Sequence, residues 1–233
     1  MHRFLLLFAA LAAVSLGGCS GEPASDTADQ GGGLNVLATS GPVGDAVVHV
    51  LGEHGAVEVM MGPGIDPHLY REKPADLRKL SDADVVFYNG LHFEGIHDTL
   101  DKLAEKQPVF AVSATLEAEK DKRLRYPDGF EALPDPHIWH DASVWADCVD
   151  EIATRLGEVD PDHASDYRAA ADAYKAELAS LHEWCKTQMA SVPESQRLMV
   201  TAHDAFGYFS DGYGIETVGL KGVSTEDEID LGR

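Results

Sequence analysis

The chain has 233 residues, of which 44% are hydrophobic and 25% are charged. This composition is typical of globular proteins and argues against a largely disordered chain or a polytopic membrane protein. The 40 acidic residues outnumber the 18 Lys and Arg, so the formal net charge is −22. Because nucleic-acid binding requires clustered basic side chains, this balance argues against a nucleic-acid partner and favours cations.

The N-terminal residues have the pattern of a targeting signal followed by a tether. Residues 1–18 combine a basic start with an apolar run at 4–16, too short to cross a bilayer but suited to a signal peptide. The run leads into a Leu-Gly-Gly-Cys motif that ends at Cys19 and resembles a bacterial lipobox; an ordinary signal with a chance cysteine is the alternative. Residues 19–33 are polar and glycine-rich, as in a flexible tether. We therefore expect a protein lipid-anchored to the bacterial membrane, on its periplasmic side or at the cell surface.

Residues 34–160 have the pattern of a first lobe built from βα units. Short apolar runs that alternate with helical patterns are typical of a parallel sheet flanked by helices. The predicted strands are 35–38, 57–61, 84–88 and 109–112. The predicted helices are 43–53, 73–81, 96–105 and 143–157, and residues 114–134 are expected to be a surface excursion.

A long helix is predicted next. Asp160 and Pro161 form a favourable helix start, and neither glycine nor proline occurs from 162 to 191. Thirty residues would span about 45 Å, so we expect 161–192 to be a strut between two lobes, with a coiled-coil arm as the alternative.

Residues 193–233 resume the βα rhythm as a second lobe. Strands are predicted at 198–202 and 216–220, and Thr225 and Glu228 have capping-box spacing for one more helix. This is too little chain to bury a sheet, so we expect an incomplete C-terminal lobe and a sequence taken from a longer protein. The predicted fold class is α/β, with two lobes of parallel sheet flanked by helices and joined by one long helix.

Two cysteines remain besides Cys19. Cys148 and Cys185 both fall in predicted helices, and neither has a C-x-x-C partner. We expect two free, mostly buried thiols, with a disulfide as the alternative that an oxidising compartment would allow.

Three of the 11 histidines lie where a predicted strand gives way to a loop or helix. They are His68, His137 and His203, separated by 69 and 66 residues, so a common site requires convergence in three dimensions. The loops at the carboxyl ends of parallel strands are where open α/β sheets gather ligands. Neutral imidazole is a common ligand of transition metals, so these residues are candidate metal ligands.

Two of these histidines end the same tripeptide, Asp-Pro-His. The proline restricts the backbone and would limit movement of the imidazole. Asp66 and Asp135 could accept a hydrogen bond from a loop amide or orient an imidazole from behind. The alternative is that the tripeptide is merely a turn.

Several stretches in order along the chain resemble the metal-binding lipoproteins of zinc and manganese ABC importers, the cluster A-I solute-binding proteins. These stretches are MGPGIDPHLY at 61–70, PADLRKL at 74–80, VFYNGLHFEG at 86–95, DPHIW at 135–139, TAHDAFGYF at 201–209 and GLKGVSTE at 219–226. The resemblance implies two α/β lobes joined by a long helix, with a metal ion bound in the cleft between them.

By motif position, the resemblance implies that His68 and His137 are ligands from the first lobe and His203 a ligand from the second. The bound ion would be Mn²⁺ or Zn²⁺, and the forms at 201–206 and 222–226 look slightly more like manganese-associated members. The family role is to capture the ion and deliver it to an ABC permease and its ATPase. We expect a monomer without enzymatic activity.

The chain departs from the family pattern in two places. The family's fourth ligand is an Asp or Glu well beyond the third, and no matching segment occurs before Arg233; either the chain is truncated, or three imidazoles act with solvent. His140 stands where an apolar residue is usual; it could approach the ion, but we expect it beside the site. Asp204, next to His203, is a weaker candidate for the same supporting role.

Two other functions remain open from the sequence. A metal held by three histidines with an open position could activate water, as in a metallohydrolase, although no general base is placed beside these histidines in sequence. A surface adhesin is the second alternative, since some relatives have been assigned attachment roles.

Overall fold

The computed structural model describes residues 32–127, 130 and 133–226. The predicted signal peptide, Cys19 and most of the predicted tether therefore lie outside the described residues, as does Glu228 of the predicted capping box.

The described residues contain six strands in two parallel sheets. The strands are β1 (Leu34–Ala38), β2 (Gly55–Val59), β3 (Val85–Tyr88), β4 (Val109–Ala111), β5 (Leu198–Thr201) and β6 (Glu216–Gly219). The first sheet has the order β2-β1-β3-β4, and the second pairs β5 with β6. The prediction of 57–61 for β2 was wrong at both ends. The strand begins at Gly55, which pairs with Leu34. A Cβ there would lie 2.2 Å from the Leu34 carbonyl oxygen, so this pairing requires glycine, which an apolar pattern does not register.

The first sheet is buried on both faces, which explains the continuous apolar runs in its central strands. Val36 and Ala38 of β1 contribute to one hydrophobic cluster, whereas Leu37 contributes to another. The β3 residues divide in the same way, with Phe87 in the first cluster and Val86 in the second. Successive residues of a strand point to opposite faces, so such strands must be apolar throughout.

Seven α-helices occur in the described residues. They are α1 (Gly41–Leu51), α2 (Pro74–Asp82), α3 (His97–Ala104), α4 (Ala114–Ala118), α5 (Ala142–Val159), α6 (Ala164–Ser191) and α7 (Gly207–Tyr213). The first hydrophobic cluster contains side chains of α1, α5 and α6, and the second contains side chains of α2 and α3. The short helix α4 lies inside the predicted excursion, where Leu116 is buried and anchors it.

The long helix α6 has 28 residues, which correspond to about 42 Å. A 3₁₀ turn at Pro161–His163 precedes it, so the helix begins at Ala164 rather than at the predicted residue 161. Tyr167, Ala171 and Leu178 are buried, but Trp184 in the second half is 60% exposed. The lobe boundaries at 160 and 192 stay predictions. None of the helices in the described part of the chain is both long and apolar enough to span a membrane.

The second sheet has a more open surface. Leu198 and Val200 of β5 are 54% and 59% exposed. The helix α7 between its strands is anchored instead in the large core, through the buried ring of Tyr208.

Both remaining cysteines are free thiols on helices. Cys148 is buried in α5, and burial raises the pKa of its thiol. Cys185 on α6 is half-buried.

Candidate metal centre

Three imidazoles from distant parts of the chain converge. His68 lies in the loop between β2 and α2. His137 precedes a 3₁₀ turn at Ile138–His140, and His203 follows β5. Their potential ligand atoms all lie within 4.8 Å of one another. The Nε2 atom of His137 is 3.2 Å from that of His68 and 3.4 Å from that of His203. Zn–N bonds of about 2.0–2.1 Å in tetrahedral geometry place ligand nitrogens about 3.3–3.4 Å apart, so the separations of His137 from the other two histidines suit one shared ion.

The two Asp-Pro-His tripeptides share one side-chain-to-backbone hydrogen bond. Asp66 Oδ1 accepts a hydrogen bond from the backbone N–H of His68 at 3.1 Å. Asp135 Oδ1 accepts the equivalent bond from His137 at 2.9 Å. Each aspartate therefore fixes the backbone of the histidine two residues later, as the sequence allowed.

Of these two aspartates, Asp135 also bonds to the ring of its histidine in the described part of the chain. Its Oδ1 lies 2.8 Å from Nδ1 of His137, and both residues are almost fully buried. Since an ionised carboxylate can only accept a hydrogen bond, Nδ1 carries the proton and Nε2 presents its lone pair to the other histidines. His137 is thus set in the tautomer that binds a metal through Nε2.

Aromatic rings form one wall of the site. The Phe93 ring packs against His68 with centroids 5.0 Å apart, and the Trp139 ring packs against His137 at 5.3 Å. Phe93 and Trp139 also contact each other at 4.9 Å. Sequence reasoning did not single out these two residues, although both lie in stretches that carried the resemblance. Their packing restricts rotation of the imidazoles and keeps water from this side.

The environment favours the neutral imidazoles of His68 and His203. Burial, reinforced by the neighbouring His137, lowers the pKa of His68 to about 4. Burial also lowers the pKa of His203. Because a metal must displace any proton from an imidazole nitrogen, neutral rings bind it without that competition near pH 7. His68 and His137 are only 9% and 2% exposed, whereas His203 is half-buried.

The remaining predicted residues lie around this group. His140 stacks on Phe206 with ring centroids 4.3 Å apart, and it does not belong to the group of converging ligand atoms found in the described residues. Burial lowers the pKa of His140 to about 4. The backbone N–H of Asp204 donates to the Gly222 carbonyl at 3.0 Å. Glu226, at the end of the last stretch that carries the resemblance, forms an ion pair with Arg71 at 3.6 Å.

Comparison with known proteins defines the class. The family described as "ZnuA: Zinc-uptake complex component A periplasmic" matches residues 36–233. The chain belongs to this family of metal-binding transport proteins.

Individual relatives include a manganese-binding and a zinc-binding protein. The chain is 39% identical to the manganese-binding lipoprotein MntA of Bacillus subtilis, over 99% of this chain and 74% of MntA. It is 37% identical to the zinc-binding protein TroA of Treponema pallidum, over 83% of this chain and 61% of TroA. The solved structure of periplasmic TroA matches with a TM-score of 0.79 and 36% identity, covering 86% of this chain and 71% of that structure. The α/β fold with parallel sheets is therefore shared with TroA.

Proposed function

We propose that this protein captures Mn²⁺ or Zn²⁺ outside the cytoplasmic membrane and delivers it to an ABC permease with its ATPase. The observation that carries the proposal is the convergence of the Nε2 atoms of His68, His137 and His203 at distances suited to one ion. The family membership and the manganese- and zinc-binding relatives support the same function. The ion is cargo, so the site has to bind it and release it rather than use it for chemistry.

The donor set supports a transition metal over Mg²⁺ or Ca²⁺. Imidazole nitrogen is a favourable ligand for zinc and related ions, whereas Mg²⁺ and Ca²⁺ prefer oxygen ligands. Three nitrogens do not by themselves discriminate Mn²⁺ from Zn²⁺, and intrinsic affinity for Mn²⁺ is the lower of the two. Both metals therefore have to be tested.

A binding role fits the neighbouring carboxylates better than hydrolysis does. Asp135 is engaged by the backbone and the ring of His137, and Asp66 accepts from the backbone of His68. A metallohydrolase needs a free general base beside the bound water. We expect no hydrolysis of p-nitrophenyl acetate by zinc-loaded protein above that of the His137→Ala variant. Turnover that depends on His137 would favour the enzyme alternative.

The predicted acylation of Cys19 supplies the membrane attachment in this proposal, and the related MntA is itself described as a lipoprotein. We further propose that the protein acts as a monomer. The adhesin alternative has no residue in the described site to support it.

The direct test is competition between the protein and a fluorescent chelator for Zn²⁺ and, separately, for Mn²⁺. We expect one ion per chain and a loss of affinity of about 100-fold or more in His68→Ala, His137→Ala and His203→Ala, since removing a ligand costs more than removing its support. His182→Ala is the matched control, because His182 is also partly buried but lies 3.3 Å from Asp141 and is not one of the three converging histidines. Equal affinity in all four variants would remove the proposed site.

A further inference from the structure

Arg125 lies between the loop that carries His137 and the helix α7 that follows His203. Its Nη1 donates to the Gly207 carbonyl at 3.1 Å and also pairs with the carboxylate of Asp211. Its backbone N–H donates to the Tyr208 hydroxyl at 3.2 Å. These contacts join positions that are more than 80 residues apart.

The same arginine borders the aspartate behind His137. Asp135 uses Oδ1 for His137, and its Oδ2 lies 3.9 Å from Nε of Arg125. Asp135 is 1% exposed, so its charge requires a compensating partner. The Tyr208 hydroxyl donates to the Asp135 backbone carbonyl at 2.8 Å. Arg125 and Tyr208 therefore connect the segment of Asp135 and His137 to α7. We call this contact the junction.

Gly207 makes room for the guanidinium. A Cβ at this position would lie 2.3 Å from Nε and 2.7 Å from Cζ of Arg125. Any side chain at 207 would push the guanidinium away from its present position or move α7. The close approach therefore requires glycine at this position.

We propose that Arg125, with Tyr208, is a positioning residue that holds the Asp135–His137 pair against α7 and slows release of the bound metal. This inference rests on the proposed metal-binding function. The guanidinium balances the charge of Asp135 and bonds to the helix that follows His203. Its loss lets the His137 and His203 rings separate more easily, so the ion dissociates faster while all three ligands remain.

The test measures the rate at which zinc-loaded protein releases Zn²⁺ to an excess of chelator in a stopped-flow instrument. We expect Arg125→Gln to release the ion about 10- to 100-fold faster, the range typical of lost support behind a ligand. Tyr208→Phe keeps the ring in the core and should accelerate release less. Gly207→Ala should accelerate release although the arginine is still present.

Arg155→Gln is the matched control. Arg155 also pairs with two carboxylates, those of Glu151 and Glu158, but on α5. Its variant should release Zn²⁺ at the wild-type rate. The visible absorption spectrum of the Co²⁺-loaded protein gives a second readout, because a change in ligand geometry alters it and a loss of global stability alone does not.

The outcomes separate the inference from the proposed function. Faster release and an altered Co²⁺ spectrum in Arg125→Gln or Tyr208→Phe, with Arg155→Gln unchanged, would support the inference. Wild-type rates and spectra in the three junction variants, with binding abolished in His137→Ala, would overturn the inference and leave the function standing. Tight binding retained in His137→Ala would overturn both.

Discussion

The carboxylate of Asp135 holds Nδ1 of His137 at 2.8 Å, in addition to accepting the backbone N–H of the same residue. Asp66 forms the backbone bond to His68 within an identical tripeptide, but no bond from Asp66 to the ring of His68 is among those found in the described residues. The ring of His68 is instead packed edge-on against Phe93. Two equal motifs therefore hold their imidazoles in different ways, one by a charged hydrogen bond and one by packing.

This difference predicts unequal effects of removing each charge. In Asp135→Asn the amide nitrogen would face Arg125 or His137, both of which are donors, so we expect metal affinity to fall about 10- to 100-fold. Asp66→Asn keeps an acceptor for the backbone N–H, and its affinity should stay within about threefold of wild type, consistent with a loss well below 1 kcal/mol. Chelator competition with Zn²⁺ measures both variants. Equal losses would show that the ring bond of Asp135 has no special role.

A second prediction concerns Glu94, a carboxyl that is 1% exposed. Its Oε1 accepts from Thr39 Oγ1 and from the backbone N–H of Asn89, each at 2.7 Å, whereas its Oε2 has no hydrogen-bond partner among the described residues. Burial raises the pKa of Glu94 from 4.5 to about 7. The folded protein therefore holds a proton that the unfolded chain releases above pH 4.5.

The raised pKa of Glu94 makes the stability of the folded protein depend on pH. Between pH 4.5 and 7 the folded state binds more protons than the unfolded state, so this group's contribution to stability falls as the pH rises, by about 3 kcal/mol in total. Glu94→Gln cannot ionise, so its stability relative to wild type should increase from pH 5 to pH 7.5. Urea unfolding of metal-free protein at the two pH values measures the difference.

The control for Glu94 is Glu151→Gln. Glu151 is 6% exposed, but its side chain bonds to Arg155 at 2.7 Å and also accepts from Thr115. This variant should lose stability at both pH values, because it removes a partner from Arg155. A relative stability of Glu94→Gln that does not change with pH would contradict the raised pKa.

A third prediction uses two leucines on α6. Leu178 is 6% exposed and belongs to the large core, whereas Leu181 is 47% exposed. Leu178→Ala should lower the free energy of unfolding by about 2–5 kcal/mol, because it leaves a cavity. Leu181→Ala should lower it by less than about 1 kcal/mol, as is usual for surface positions. Urea unfolding checks both, and similar losses would mean that the helix packs through a different face.

Local signals were sufficient for most of the secondary structure. The apolar runs of β1 and β3 and the uninterrupted stretch of α6 predicted these elements to within a few residues, because strand and helix periodicity depend on neighbouring residues. Two of the differences between prediction and structure in the first lobe have local causes. Gly55 contributes backbone pairing without an apolar side chain, and α4 is a five-residue helix that is too short to show a period.

The sequence also determined which residues are candidates for the site. Strand ends, the repeated Asp-Pro-His tripeptide and the family resemblance singled out His68, His137 and His203. What these signals do not contain is distance. That three nitrogen atoms from loops 66 and 69 residues apart lie within 4.8 Å of one another depends on how the sheets and helices pack.

Tertiary structure alone decided how the imidazoles are held. The different environments of Asp66 and Asp135, the wall of Phe93 and the junction at Arg125 and Tyr208 arise from contacts between segments remote in sequence. Sequence determines the kind of hydrogen bond or packing contact that each side chain can make. Which contact it makes depends on the partners that folding brings within about 3 Å, because hydrogen bonds act only over that range.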